Sequence, residues 1–246
     1  MADSALAVFS DIHSNLEALQ AVLADMTALK IRFGVCLGDL VGYGADPLAC
    51  VKLVRSMGCP VLLGNHDAAT ASDSDLGEMN NSARTGIRFA RIKLPQEQRD
   101  WLGSLPLVVK EDDCEFVHGT LDAPAEWYYA IGPDDVTMHF KAQTCPICFC
   151  GHTHDPMVWH WNGAGKLTVR RGQGRIPLIS GGKTLINVGS VGQPRDGNPD
   201  ACYAILGPKA QWVEFRRIAY NVSKAKGKIT KAGLPHFTAD RLSEGR

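Results

Sequence analysis

The residues best suited to chemistry are histidines and carboxylates that follow short apolar runs. Val61-Leu62-Leu63 leads through Gly64 into Asn65-His66-Asp67. The run has the character of a buried parallel strand, and in an open α/β sheet ligands bind just beyond the carboxyl ends of strands. Asn65 offers an amide oxygen to a metal, His66 can carry a proton, and Asp67 can orient either one. The same form recurs along the chain. Residues 5–10 empty into Asp11-Ile12-His13, 33–37 into Gly38-Asp39, 115–117 into His118-Gly119, and 146–150 into Gly151-His152-Thr153-His154. Five of the eight histidines lie in these exits; His139, His160 and His236 receive no role. Two apart on an extended segment, Asp11 and His13 point to one side and can reach one ion.

Imidazole, carboxylate and amide oxygen without thiolate suit Mn²⁺, Fe or Zn²⁺ better than a Cys-ligated structural zinc. Seven candidate ligands are too many for one ion with an open position. They suit two ions about 3.5–4 Å apart that share one carboxylate. Such a pair brings the pKa of a bridging water toward ~7 and neutralises the equatorial oxygens of a phosphoryl group. Hydrolysis of a phosphate ester or anhydride uses all of these features.

The elements that must position these groups alternate. After Asn15, a natural helix N-cap, Leu16, Leu19, Val22, Leu23, Met26 and Leu29 recur at helical spacing. A second crossover helix is predicted over 47–57, so the first three strands form a parallel α/β unit. Residues 68–106 are a helical excursion that could cover the site, with helix over 81–93 and a short helix begun by Pro95. A short helix is expected over 134–143. From 157 the texture turns antiparallel, with strands at 157–161, 166–170, 184–188, 201–206 and 212–218. Residues 189–199 are too rich in glycine and proline to be anything but a loop, and 221–246 form a tail of two short helices broken at Gly233-Leu234-Pro235. The whole of 1–246 reads as one domain.

At 45% apolar and 21% charged, with zero formal net charge, the composition is that of an ordinary soluble globular chain. No overall field favours nucleic acid or an anionic membrane, and no run approaches the roughly 18 apolar residues of a span. With no secretory segment at its start, a cytoplasmic protein with free thiols is expected. Cys145, Cys148 and Cys150 form CxxCxC, but the last two alternate within a strand and read as core packing. Trp127-Tyr128-Tyr129 sits in a Pro-flanked loop that either stacks a nucleobase or, more commonly, packs on its own domain. Lys224, Lys226, Lys228 and Lys231 read as a solvated helix face.

The ordered set DIHSN, GDLVGYG, GNHD, VHG and GHTH resembles the calcineurin-like metallophosphoesterases. INVGSVGQPRDGNP and the closing FRRIAY and AGLP segments are similar to the bacterial branch of predicted phosphodiesterases and diadenosine-tetraphosphatase-like proteins. The resemblance implies a four-layer α/β/β/α sandwich with mixed sheets and a dinuclear site at one edge. It implies one ion on Asp11, His13 and His154, the other on Asn65, His118 and His152, and Asp39 bridging. Mn²⁺ is the expected metal, with Fe, Zn²⁺, Ni²⁺ or Mg²⁺ as alternatives. His66 would be the general acid or transition-state stabiliser and Asp67 its orienting partner.

Ser/Thr protein phosphatases of the superfamily carry GDxVDRG, whose Arg grips phosphate. Here the run is GDLVGYG, with Tyr43 in that region, which leaves Arg195 as the best cationic candidate near substrate. The alternative for Arg195 is bracing its loop against Asp196. The expected partner is a small phosphodiester or nucleotide anhydride, not a membrane or nucleic acid. A phosphomonoesterase or phosphoprotein phosphatase is the alternative, and an inactive binding scaffold of the same fold is the third reading.

Overall fold

The computed structural model describes residues 4–73, 75–77 and 79–246. The first strand, β1 (Leu6–Phe9), is followed by helix α1 (Leu16–Ala28), whose Asn15 cap accepts from the Ala18 N–H. Leu19, Val22 and Met26 bury one face of α1 at helical spacing. Next come β2 (Phe33–Cys36) and α2 (Pro47–Ser56), with Pro47 in the first turn, where its missing N–H costs nothing.

The third strand expected at Val61 is not built. Cys36 and Val61 form a single parallel bridge, after which the Leu63 N–H turns to the Pro106 carbonyl. Asn65-His66-Asp67 then become the first turn of α3 (Asn65–Ala71) instead of a strand-exit loop. Gly64 causes the turn. A Cβ there would lie 2.2 Å from Asp39 Oδ1 and 2.4 Å from its backbone nitrogen, so glycine alone allows the two segments to touch.

The helical excursion continues with α4 (Asn81–Lys93) and α5 (Gln96–Gly103), then β3 (Val108–Glu111) and β4 (Cys114–Val117). Helix α6 (Pro133–Ala142) leads to β5 (Ile147–Cys150), β6 (Met157–Trp161), β7 (Leu167–Arg171), β8 (Gly174–Pro177) and β9 (Lys183–Asn187). The chain closes with β10 (Ala201–Leu206), β11 (Trp212–Ile218), α7 (Val222–Lys231) and α8 (His236–Glu244). Strands β3 and β8 are additions to the sequence-based expectation.

Two mixed sheets result, ordered β2-β1-β10-β11-β8 and β3-β4-β5-β9-β6-β7. Strand alternation divides the core into layers. Ala7 and Phe9 pack with α1 and α2, while Val8 between them faces the second sheet. In β5, Ile147 and Phe149 face the first sheet, and Phe149 stacks on Phe116 with centroids 5.5 Å apart. Cys148 and Cys150 point the other way, onto Val136 and Phe140 of α6, as core residues. Helices, sheet, sheet and helix give the expected α/β/β/α sandwich. All eight cysteines are free, and among the described residues no helix is long and apolar enough to cross a membrane.

The basic tail is less solvated than its sequence implies. Lys228 lies 2.7 Å from both Glu17 and Asp46, fastening α7 to α1 and to the start of α2.

Candidate metal centre

The strand exits converge at one end of the two sheets. They do so through backbone kinks, not through the extended alternation expected for Asp11 and His13. Strand β1 ends at Phe9, and Asp11 (φ 56°) and His13 (φ 47°) are both left-handed, as are Asp39, His152 and His154. Non-glycine residues seldom adopt this region, and Asp and His adopt it more readily than most. Its concentration here marks a built site.

Each carboxylate is divided between two tasks. Asp39 Oδ1 accepts the His66 backbone N–H at 2.8 Å, while Oδ2 lies 3.6 Å from His13 Nε2 and 3.5 Å from His118 Nε2. Asp11 Oδ2 accepts the His152 backbone N–H at 3.0 Å, which leaves Oδ1 3.1 Å from His154 Nε2 and 3.7 Å from His13 Nε2.

Three imidazoles are aimed by carbonyls. His13 Nδ1 donates to Val41 O at 3.0 Å, His118 Nδ1 to Leu37 O at 2.9 Å and His154 Nδ1 to Gln193 O at 2.6 Å. A carbonyl can only accept, so in each ring Nδ1 holds the proton and Nε2 is a bare lone pair when the ring is neutral. His13 and His154 then present bare Nε2 atoms 3.1 Å apart, a contact that a shared cation relieves. Asp11 Oδ1, Asn65 Oδ1 and His118 Nε2 are buried without a hydrogen bond among the described residues. Oxygen and nitrogen acceptors left over in a dry pocket are the donor set of a divalent metal.

Three groups come within ligand range: Asp11, His13 and His154; Asp39, His118 and His152; and His13, Asp39 and His66. The residues present therefore fit metal binding. Electrostatics agree for most of them. Burial, with the charge of Arg195 added, lowers His154 to about 4, and burial beside His118 lowers His152 to about 3. Neutral imidazole is the form that binds a metal. Burial also lowers His118, but the Asp39 and Asp11 carboxylates outweigh it and raise the ring to about 9.

His66 stands beside the cluster, its ring 4.8 Å from His13 and 4.7 Å from Tyr43. Burial holds it at about 3, and its Nδ1 makes no hydrogen bond among the described residues. Asp67 does not orient that ring. Its Oδ1 accepts the Leu40 N–H at 2.9 Å and the Val41 N–H at 3.2 Å, because the first turn of α3 aims it at the loop after Asp39. Asp67 thus holds the segment that carries both Asp39 and the carbonyl aiming His13.

Arg195 is not braced by Asp196, whose carboxylate is taken by Arg217. The Arg195 side chain reaches Gln193 Oε1 at 3.4 Å, its Nε is buried without a partner among the described residues, and its charge is felt by His154 and Tyr43. Tyr43 is buried, packed edge-on to His13, and lines a cavity of about 640 Å³ over the cluster. Asn65, His66 and His152 line the same cavity, as do Ala68, Ala69, Ser72 and Asn80 from the helical excursion. Farther along, the excursion turns inward: Ala90, Leu94 and Leu102 join the core beneath.

Several residues of the site escaped the sequence reading. Asn187 donates to Gly151 O at 2.6 Å and to Thr153 Oγ1 at 2.9 Å, and Ser190 Oγ donates to Asp11 O at 2.9 Å, so the loop after β9 buttresses two exits. A strand that ends in a buried asparagine was the available signal. The aromatic loop at 127–129 did not escape it: Tyr129 packs on its own domain, stacked on His152 with ring centroids 4.0 Å apart and planes at 15°.

A model of the calcineurin-like phosphoesterase superfamily domain matches residues 5–211. A metallophosphoesterase from Sphaerobacter thermophilus superposes with a TM-score of 0.88 at 36% identity, over 99% of each chain. An uncharacterized protein of Methanocaldococcus jannaschii is 40% identical over 250 residues, covering 100% of both chains. A symmetrical bis(5'-nucleosyl)-tetraphosphatase of Histophilus somni is 30% identical over 122 residues, 48% of this chain and 44% of its own. With these matches and a buried His/Asp cluster at the strand exits, the chain belongs to the calcineurin-like phosphoesterase superfamily.

Proposed function

We propose that this phosphoesterase hydrolyses a small phosphodiester or nucleotide anhydride with two divalent ions. Asp11, His13 and His154 would hold one, Asn65, His118 and His152 the other, and Asp39 both. The observation that carries the reading is Asp39 Oδ2, nearly equidistant from His13 and His118 at 3.6 and 3.5 Å while its partner oxygen is tied to backbone. When bound, such ions acidify a coordinated water toward ~7 and offset phosphoryl charge. A donor set of imidazole, carboxylate and amide oxygen favours Mn²⁺, with Fe and Zn²⁺ next. Free cysteines favour a cytoplasmic setting.

The protein's own groups do the rest. His66 would hold the proton for the leaving oxygen. Burial keeps it neutral in the protein alone, and an anionic phosphate entering the cavity favours its charged form. Arg195, whose charge already reaches His154 and Tyr43, would meet a phosphate oxygen. Tyr43 walls the two rings from water, and Asp67 keeps the Asp39 loop in register through Leu40 and Val41. Partial similarity to tetraphosphatases supports the anhydride version.

The test uses metal-stripped protein reloaded with Mn²⁺ and given bis-p-nitrophenyl phosphate, p-nitrophenyl phosphate and diadenosine tetraphosphate. Diester or anhydride turnover well above monoester turnover is expected. Monoester preference would put a phosphomonoesterase in its place, and no turnover at full metal content would leave a binding scaffold.

A further inference from the structure

The cavity over the metal cluster has two unlike walls. The wall from α3 and α4 is made of small and polar side chains, whereas residues 126–129 contribute Glu126 and the aromatic Trp127 and Tyr129. One face of the Tyr129 ring lies on His152, yet the residue is 45% exposed and lines the cavity. Trp127 has φ 49°, a left-handed conformation that a bulky side chain rarely adopts. Contact with the segment just after His118 maintains it. A Cβ on Gly119 would lie 3.0 Å from both Trp127 Cα and Tyr128 O, so the aromatic loop rests directly on the glycine. The indole Nε1 is buried and has no hydrogen-bond partner among the described residues, although a buried tryptophan N–H ordinarily finds one.

An aromatic ring with one face packed and the residue open at the cavity is a stacking partner for a flat ring, whereas the Trp127 Nε1, with no exposed surface, is closed off from a ligand there. We propose that Tyr129 forms a nucleobase subsite: its ring stacks on the base, and Trp127 holds the loop that carries it. This rests on the phosphoesterase reading above and narrows its substrate class to nucleotides. A sugar phosphate without a base could use the metals and Arg195 but not Tyr129.

The test compares AMP with ribose 5-phosphate, which share sugar and phosphate and differ in the base. Binding to Mn²⁺-loaded protein is measured by calorimetry for the wild type, Tyr129→Ala and Trp127→Phe. Base stacking predicts that the wild type binds AMP about 5- to 150-fold more tightly. Tyr129→Ala should remove most of that ratio, and Trp127→Phe, which keeps a ring in the loop and removes only a closed-off N–H, should leave it nearly unchanged. Any metal loss from a loosened His152 weakens both ligands alike and leaves the ratio intact. A wild-type ratio near one, or a ratio that survives Tyr129→Ala, overturns the subsite. If the ratio holds but no diester or anhydride is hydrolysed, the subsite stands and the proposed reaction fails. Turnover of bis-p-nitrophenyl phosphate with a ratio near one means the reverse.

Discussion

Strand β4 has a buried carboxylate near its start and a cluster of them beyond its end, and the molecule treats the two differently. Glu115, 1% exposed, is surrounded by donors: Lys110 Nζ at 2.7 Å, the Thr144 N–H and hydroxyl at 2.8 Å each, and the Cys145 N–H at 3.0 Å. Asp11 and Asp39, past the other end of the sheets, each have one oxygen bonded to backbone and the other facing imidazoles. Burying a charge is costly in both places. At Glu115 the cost is offset by complete hydrogen bonding, and the group serves the fold. At the exits the bonding is left incomplete on one side only, which is the arrangement expected of ligands awaiting a cation. Buried acidity alone therefore does not mark a site; leftover acceptors gathered among imidazoles do.

Substitutions should separate the two regions sharply. Asp39→Asn should have the largest effect, with both ions lost by elemental analysis and turnover down by about 10³-fold or more, the scale of losing metal-ion catalysis. Loss of one ion only would show that Asp39 is not shared. His66→Ala should cost about 10²–10⁴-fold in kcat with metal content unchanged, as removal of a general acid does. A loss under threefold would remove His66 from the chemistry. Asp67→Ala frees the Leu40 and Val41 N–H groups and loosens the Asp39 loop, so about 10- to 100-fold in metal affinity or activity is expected.

Glu115→Gln should leave turnover and metal content within about twofold and cost about 1–3 kcal/mol in denaturant unfolding. It also carries a pH signature. Burial raises the Glu115 pKa, but the hydrogen bonds from Lys110, Cys145 and Thr144 outweigh it and bring the group from 4.5 to about 2. A depressed pKa gives stability that is present above the unfolded value and lost as pH falls through the folded one. The wild type should therefore lose this contribution between about pH 4.5 and 2, and the variant should show no such loss.

The positions of the candidate ligands were legible because each is punctuated locally: an apolar run, often a glycine, then histidine or carboxylate. The α1, α2 and α4 boundaries were legible for the same reason, as with Asn15, which caps α1. What the sequence hid was non-local. The Val61-Leu62-Leu63 run looks like a strand, and only the contact of Gly64 with Asp39 reveals why it stops at one bridge. Asp67 reads as a partner for its neighbour His66, but its true partners lie 26 and 27 residues away. Any residue supplies a carbonyl, so nothing in Val41, Leu37 or Gln193 announces that it aims a histidine. Strands β3 and β8 are short, partly exposed and edge-placed, and exist through pairing with β4 and β11.

The divided carboxylates also bear on the order of assembly. The tie from Asp39 to His66 spans 27 residues, and the tie from Asp11 to His152 spans 141 and joins the first sheet to the second. Contacts so distant in sequence close only after loop entropy has been overcome, when both sheets are paired and docked. The geometry of the cluster is thus a late product of folding, and a metal held there would have little to grip in the nascent chain. Metal that recognises only the finished arrangement should lengthen the lifetime of the native state while leaving its rate of formation nearly unchanged.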